Sequence, residues 1–225
     1  MIQYVFFDFG GCLDSTGIHT RILFRDAFFR SGLITEEMFP AFQDAYTLAD
    51  ETMMRLRLAV GQPLRPFNRL NAKLITECMK LSASSNFIQS AADQVTAFQS
   101  EQLEKNRAIL ARIALPKGMI SNFTGNLEVI LEEFDMKQYF HSITESFYVG
   151  ASKPEEKIFL EALSKQKNAP ENCIFIGDNP KNDIDPAKKL KMKTILIHEY
   201  GKKQECGADA YLTDLAELPS LIQSI

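Results

Sequence analysis

The chain has 225 residues, 45% of them apolar, enough for one domain with a sizeable core or one domain carrying an insertion. A formal charge of −4 excludes a general basic surface for nucleic acid, so any anionic ligand must be held by a local site. No run of about 18 apolar residues occurs, which excludes a membrane-spanning helix. Cys12, Cys78, Cys173 and Cys206 show no metal-ligand spacing, so an untargeted protein of the reducing cytoplasm is expected.

Tyr4–Phe7 is a short apolar run that reads as a buried strand. Asp8 stands at its end, and Gly10 and Gly11 allow a sharp turn with close backbone approach to a ligand. A carboxylate is thereby presented at the carboxyl end of a strand, where open α/β sheets bind ligands. From residue 15 to about 87 no strand is expected. Residues 21–30, 36–59 and 66–81 read as amphipathic helices punctuated by Gly32, Pro40, Gly61 and Pro63. Phe24, Phe28, Phe29, Phe39 and Phe42 fall mostly at helical spacing and are expected to form the core of this region. A helical stretch over 88–112 follows.

Residues 117–120 read as a strand whose end carries Ser121 and Asn122, with Thr124 and Gly125 opening the next helix. Lys153 directly precedes Pro154, the predicted first position of a helix running to about Lys167. Residues 173–176 form another apolar strand, which delivers Gly177, Asp178 and then Asp183. Strands near 117–121, 142–145, 172–177, 193–198 and 209–212 alternate with helices. That pattern predicts an α/β fold, a Rossmann-like parallel sheet with helices on both faces.

Taken in order, YVFFDFGGCLDS, KGMISN, ASKPEEKIF and IFIGDNPKNDIDPAKKLKMKTILI resemble the motifs of the haloacid dehalogenase superfamily, aspartate-nucleophile hydrolases that are mostly phosphatases. The resemblance implies a catalytic core over 1–14 and 88–225, with residues 15–87 as an inserted α-helical cap. It implies a phosphatase that acts on a small phosphorylated metabolite through an aspartyl-phosphate on Asp8. A carboxylate attacking a phosphate monoester meets charge repulsion, which Mg²⁺, an oxygen-seeking cation, relieves. By resemblance Asp8, the Gly10 carbonyl and Asp178 would hold Mg²⁺, and Asp183 would orient a metal-bound water. Ser121 and the Asn122 backbone N–H would hold the phosphoryl group, and Lys153 would balance charge between Asp8 and the phosphate.

Gly10 departs from the family pattern, which places a second aspartate there to protonate the leaving group. General acid–base help of this kind is worth about 10²–10⁴-fold. The segment DSTGIH resembles the start of the cap in sugar-phosphate members, one residue shorter, and it offers Asp14 and His19 as substitutes. Against that role, Asp14 with Ser15 is also a helix-start signature, and His19 also fits a helix surface. Arg21, Arg25 and Arg30 are candidates to clamp a distal anion. Two other functions stay open: carbon–halogen hydrolysis, whose enzymes also lack the second aspartate, and a non-catalytic member that binds a phosphorylated ligand.

Overall fold

A computed structural model describes residues 1–199 and 205–225. β1 (Tyr4–Phe7), β2 (Lys117–Ser121), β3 (Phe140–Glu145), β4 (Cys173–Gly177), β5 (Lys193–Ile197) and β6 (Ala210–Leu212) form one sheet in the order β3-β2-β1-β4-β5-β6. Every pairing is parallel. All four β1 residues are buried because both sheet faces are covered. Val5 and Phe7 pack with α4 (Ser85–Leu110), α5 (Leu127–Glu133) and α9 (Leu218–Ile222). Tyr4 and Phe6 pack with α7 (Glu156–Ser164) and α8 (Asp185–Lys189) on the other face. From β1 the chain moves to β2 and β3 on one side, then returns to β4 on the other. The crevice at the carboxyl ends of β1, β2 and β4 is therefore the topological switch point, where such sheets bind ligands.

The region after β1 is helical: α1 (Thr20–Arg30), α2 (Phe39–Leu56) and α3 (Leu64–Cys78) pack with the first half of α4. Phe24, Phe28 and Phe42 are buried in this second core, whereas Phe29 is 43% exposed and meets Phe39 edge-on. α4 serves both layers. Its Ala91, Ala92 and Val95 join the helical core, and its Leu103, Ile109 and Leu110 join the core beneath the sheet. Residue 88 falls in the first turn of this helix.

Three predicted helix bounds differ. The helix placed over 36–59 is a separate short turn at Glu36–Met38 and then α2, which ends where Arg57 takes a left-handed conformation. α5 begins only at Leu127, because Gly125 has φ +91, outside the right-handed helical region. Pro154 does not start α7. Ser152 and Glu155 close a turn on each other, through Glu155 N–H to the Ser152 carbonyl and Ser152 N–H to the Glu155 carboxylate, and the helix runs from Glu156 to Ser164. That turn carries Lys153 inward. The short segment α6 (Ser146–Val149) follows β3 directly.

Candidate active site

Asp8 leaves the end of β1 with its amide bonded to the Ile176 carbonyl of β4, so the nucleophile candidate is anchored to the sheet. Three donors converge on its Oδ1: Phe9 N at 2.7 Å, Lys153 Nζ at 2.8 Å and Ser121 Oγ at 2.9 Å. With Oδ1 occupied, Oδ2 is the oxygen left to face a ligand. Lys153 also contacts Asp183 Oδ1 at 2.6 Å. Burial alone lowers its pKa, but Asp183 and Asp8 outweigh that and raise it, so the ammonium stays charged. Burial pushes Asp183 up to about 6 against the opposing effect of Lys153. Asp178 is raised well above the ordinary aspartate value, by burial first and then by Asp183 and Asp8.

Asp8, Asp178 and Asp183 each place a carboxylate oxygen so that the three lie within 4.8 Å of one another. Three carboxylates face one lysine, and the donors are all oxygen, the set a hard divalent cation takes. Two glycines make this packing possible. A Cβ on Gly11, at φ +83, would overlap the Asp178 carboxylate, and one on Gly177 would overlap that of Asp183. Gly10 differs from both. Its φ of −72 and ψ of 124 suit any L-residue, and a Cβ there would meet nothing closer than Thr20 Oγ1 at 3.8 Å. Only Gly11 of the glycine pair is required by the turn.

The structure brings Asp8, Gly10, Ser121, Asn122, Lys153, Asp178 and Asp183 to the wall of one cavity of about 240 Å³. Asn122 reaches it in a way the sequence did not indicate. Its side chain clamps the backbone of Lys153, accepting from Lys153 N at 2.7 Å and donating to the Lys153 carbonyl at 2.9 Å. Asp14 does not cap the start of α1. It is buried, with Oδ1 accepting from Gly11 N at 2.7 Å and Ser15 Oγ at 2.5 Å, and Oδ2 from Gln99 Nε2 at 2.7 Å and Thr20 Oγ1 at 3.2 Å. Burial raises its carboxyl to about 6 despite these donors. His19 caps α1, its Nδ1 accepting from Arg21 N at 3.1 Å, and its pKa is lowered by burial and then by Arg21. Of the three arginines, Arg25 pairs with Asp26 at 2.7 Å and Arg30 is exposed. Arg21 lines outer cavities and not the inner one.

The profile of the haloacid dehalogenase-like hydrolases matches residues 114–197, which span β2 to β5. Haloacid dehalogenase-like hydrolase domain-containing protein 3 of Xenopus laevis is 28% identical over 168 residues, 70% of this chain and 68% of the relative. The chain belongs to the haloacid dehalogenase superfamily. Glyceraldehyde 3-phosphate phosphatase of Pyrococcus furiosus is 33% identical over 95 residues, 40% of this chain and 39% of that enzyme. The chain thus spans about two fifths to two thirds of the length of these curated relatives. Among solved structures of the superfamily, a phosphatase from Thermococcus onnurineus has a TM-score of 0.57 at 16% identity, covering 98% of both chains. The L-2-haloacid dehalogenase RSc1362 has a TM-score of 0.61 at 18% identity, covering 99% of both. At these identities the likeness is one of fold. It includes enzymes of both reactions, so the choice of chemistry rests on this chain's own site. No helix among the described residues is long and apolar enough to cross a membrane.

Proposed function

We propose that this superfamily member is a Mg²⁺-dependent phosphatase that works through an aspartyl-phosphate on Asp8. The observation that carries the reading is the asymmetry of Asp8: three donors fix Oδ1, none among the described residues reaches Oδ2, and Asp8 lines a cavity together with Asp178 and Asp183. Asp8, Asp178 and the Gly10 carbonyl would hold Mg²⁺, and the charge neutralisation it would supply is what a carboxylate approaching a phosphate needs. The Asp8 carboxylate attacks phosphorus as the bond to the leaving oxygen breaks, and the leaving oxygen takes its proton from water. Water then attacks the phosphorus of phospho-Asp8 and releases phosphate and the carboxylate. Ser121 Oγ and the Asn122 amide would take the phosphoryl oxygens, Lys153 would compensate charge, and Asp183 would orient the water. The helical layer over 15–87 acts as the cap, with 1–14 and 88–225 as the core. A small phosphorylated metabolite and a cytoplasmic setting complete the reading.

Carbon–halogen hydrolysis is the second reading, because Gly10 leaves no second aspartate. It fits the cavity less well. A haloacid needs a partner for its own carboxylate, and the one lysine or arginine lining the inner cavity among the described residues is Lys153, already committed to Asp8 and Asp183. The test is hydrolysis of p-nitrophenyl phosphate and 2-chloropropionate by wild type and Asp8→Asn, with Mg²⁺ and with EDTA. Phosphate release that needs both Asp8 and Mg²⁺ supports the proposal. Chloride release insensitive to EDTA, without phosphate release, overturns it.

A further inference from the structure

Among the described residues, Asp50 is the one carboxylate of the cavity that neither the fold nor the proposed chemistry uses. It lies on α2 one turn after Tyr46, so both side chains face the same way. Asp50 is half-buried, and no hydrogen bond or ion pair reaches its carboxylate among the described residues. It also stands where two cavities meet. His19, Tyr46, Asp50, Asn122, Phe123 and Thr124 line both the inner cavity at Asp8 and a second, wider cavity of about 700 Å³. The two are therefore successive parts of one path from the surface to the nucleophile. Among the described residues the inner part holds Asp8, Asp14, Asp50, Asp178 and Asp183 against Lys153 as its single lysine or arginine. Arg21 and Arg55 line only the outer part, where Glu51 accompanies them.

We propose that Asp50, flanked by the Tyr46 ring, is the recognition site for a cationic amino group at the far end of the substrate, so that the substrate class is a small aminoalkyl phosphate monoester. The ligand class follows from the charges on the page. A distal carboxylate or second phosphate would be repelled by Asp50. A neutral end would leave that carboxylate desolvated without a partner, which is costly. An ammonium forms a charge-assisted hydrogen bond with it and gains further attraction from the aromatic face. This inference rests on the phosphatase reading for the position of the phosphate, but its own evidence is the unpartnered Asp50.

Phosphonates separate the two, because their carbon–phosphorus bond lets binding be read without turnover. The experiment titrates 2-aminoethylphosphonate and its isostere n-propylphosphonate into the Mg²⁺-loaded protein by calorimetry, with 3-aminopropyl- and 4-aminobutylphosphonate as a linker series. Wild type, Asp50→Asn and Asp50→Ser are compared, and the matching phosphate esters are assayed for hydrolysis. Wild type is expected to bind at least one aminoalkylphosphonate about tenfold or more tightly than the propyl compound. Both variants should lose that preference and keep their affinity for n-propylphosphonate. Equal binding of charged and neutral ligands by wild type, or a preference that survives in both variants, overturns the proposal. So does hydrolysis of the neutral ester alone, which leaves the phosphatase reading standing. An Asp50-dependent binding preference without hydrolysis of any ester has the opposite meaning: the amine site holds and the phosphatase reading falls.

Discussion

Asp8 and Asp14 are two buried carboxylates on the same segment and the same cavity wall, and they are held in opposite ways. Asp8 receives all its donors, one of them a lysine, on a single oxygen. Asp14 receives two donors on each oxygen, none of them charged. A carboxylate saturated on one side and open on the other is aimed at a ligand. One saturated on both sides is spent on structure, here in tying the loop after β1 to Gln99 of α4. Burial alone does not separate the two carboxylates; the distribution of their donors does.

The comparison is broken most directly at the aimed member. Asp8→Asn keeps an acceptor oxygen for Phe9 N and Ser121 Oγ, so the fold should persist, with Tm within a few degrees of wild type. Turnover should fall on the order of 10⁴-fold or more, as expected when a nucleophile is removed. Beryllofluoride, a mimic of the transferred phosphoryl group, should bind wild type with Mg²⁺ and fail to bind the variant. Activity in Asp8→Asn close to wild type would end the covalent mechanism.

The next effect tests whether Asp14 stands in for the missing acid. Near pH 7 Asp14 is above its pKa of about 6 and both its oxygens accept, so it offers no proton to a leaving group and Gly10 should leave a real deficit. Aryl phosphates should be cleaved faster than alkyl phosphates by a factor on the order of 10², since a basic leaving oxygen needs its proton in the transition state. Gly10→Asp should narrow that gap, because the backbone there is ordinary and the nearest neighbour of a new Cβ is 3.8 Å away. The check is log kcat/KM against leaving-group pKa for both proteins at saturating Mg²⁺. A flat wild-type plot would show that a proton already arrives, through Thr20 and Asp14 or through His19.

Much of this arrangement is legible in the sequence, and the part that is not has a common cause. The apolar strand ending in Asp8, the Ser121 position and the Gly177-Asp178 turn are local patterns, set by strand burial and by turns that admit no Cβ. The clamp of Asn122 on Lys153 joins residues 31 apart, and the Gln99–Asp14 bond joins residues 85 apart. Neither leaves a periodic signal. Gln99 reads as one polar residue on a long helix, and only the docking of α4 against the loop after β1 turns it inward. Asp50 is hidden in the same way: on a helix, an acidic residue facing a cavity is spelled like one facing water. Pro154 misled for a different reason, because a helix-start residue also suits the turn that carries Lys153.

Gly11 sharpens the contrast between the two glycines. Gly11→Ala must both adopt φ +83 and displace the Asp178 carboxylate, whereas Gly10→Ala does neither. Gly11→Ala should therefore weaken Mg²⁺ affinity by about 10- to 100-fold, as disturbance of groups that position a metal ligand does. Gly10→Ala should change it less than about threefold by the same reasoning. Calorimetric Mg²⁺ titration of the two variants reads this directly. Equal losses would mean that the cation does not depend on Asp178.

The smallest effect concerns the structural member and depends on pH. Asp14 holds its proton up to about pH 6 in the folded chain because burial outweighs its donors, whereas an unfolded aspartate titrates near 3.9. Between those values the folded state carries more protons than the unfolded one. The contribution of Asp14 to stability therefore falls as pH rises through that window, by on the order of 3 kcal/mol in all. Asp14→Asn cannot titrate. It also turns one acceptor into an amide donor among groups that are themselves donors, at a cost of about 1–3 kcal/mol. The Tm deficit of the variant should be largest near pH 4 and shrink towards pH 7, while kcat/KM stays within about tenfold of wild type, as for a group that positions without reacting. Melting curves at pH 4.5, 5.5 and 7 would show it. A deficit that grows with pH would mean that the donors, not burial, govern Asp14. If kcat/KM fell as far as in Asp8→Asn, Asp14 would belong with the aimed carboxylates after all.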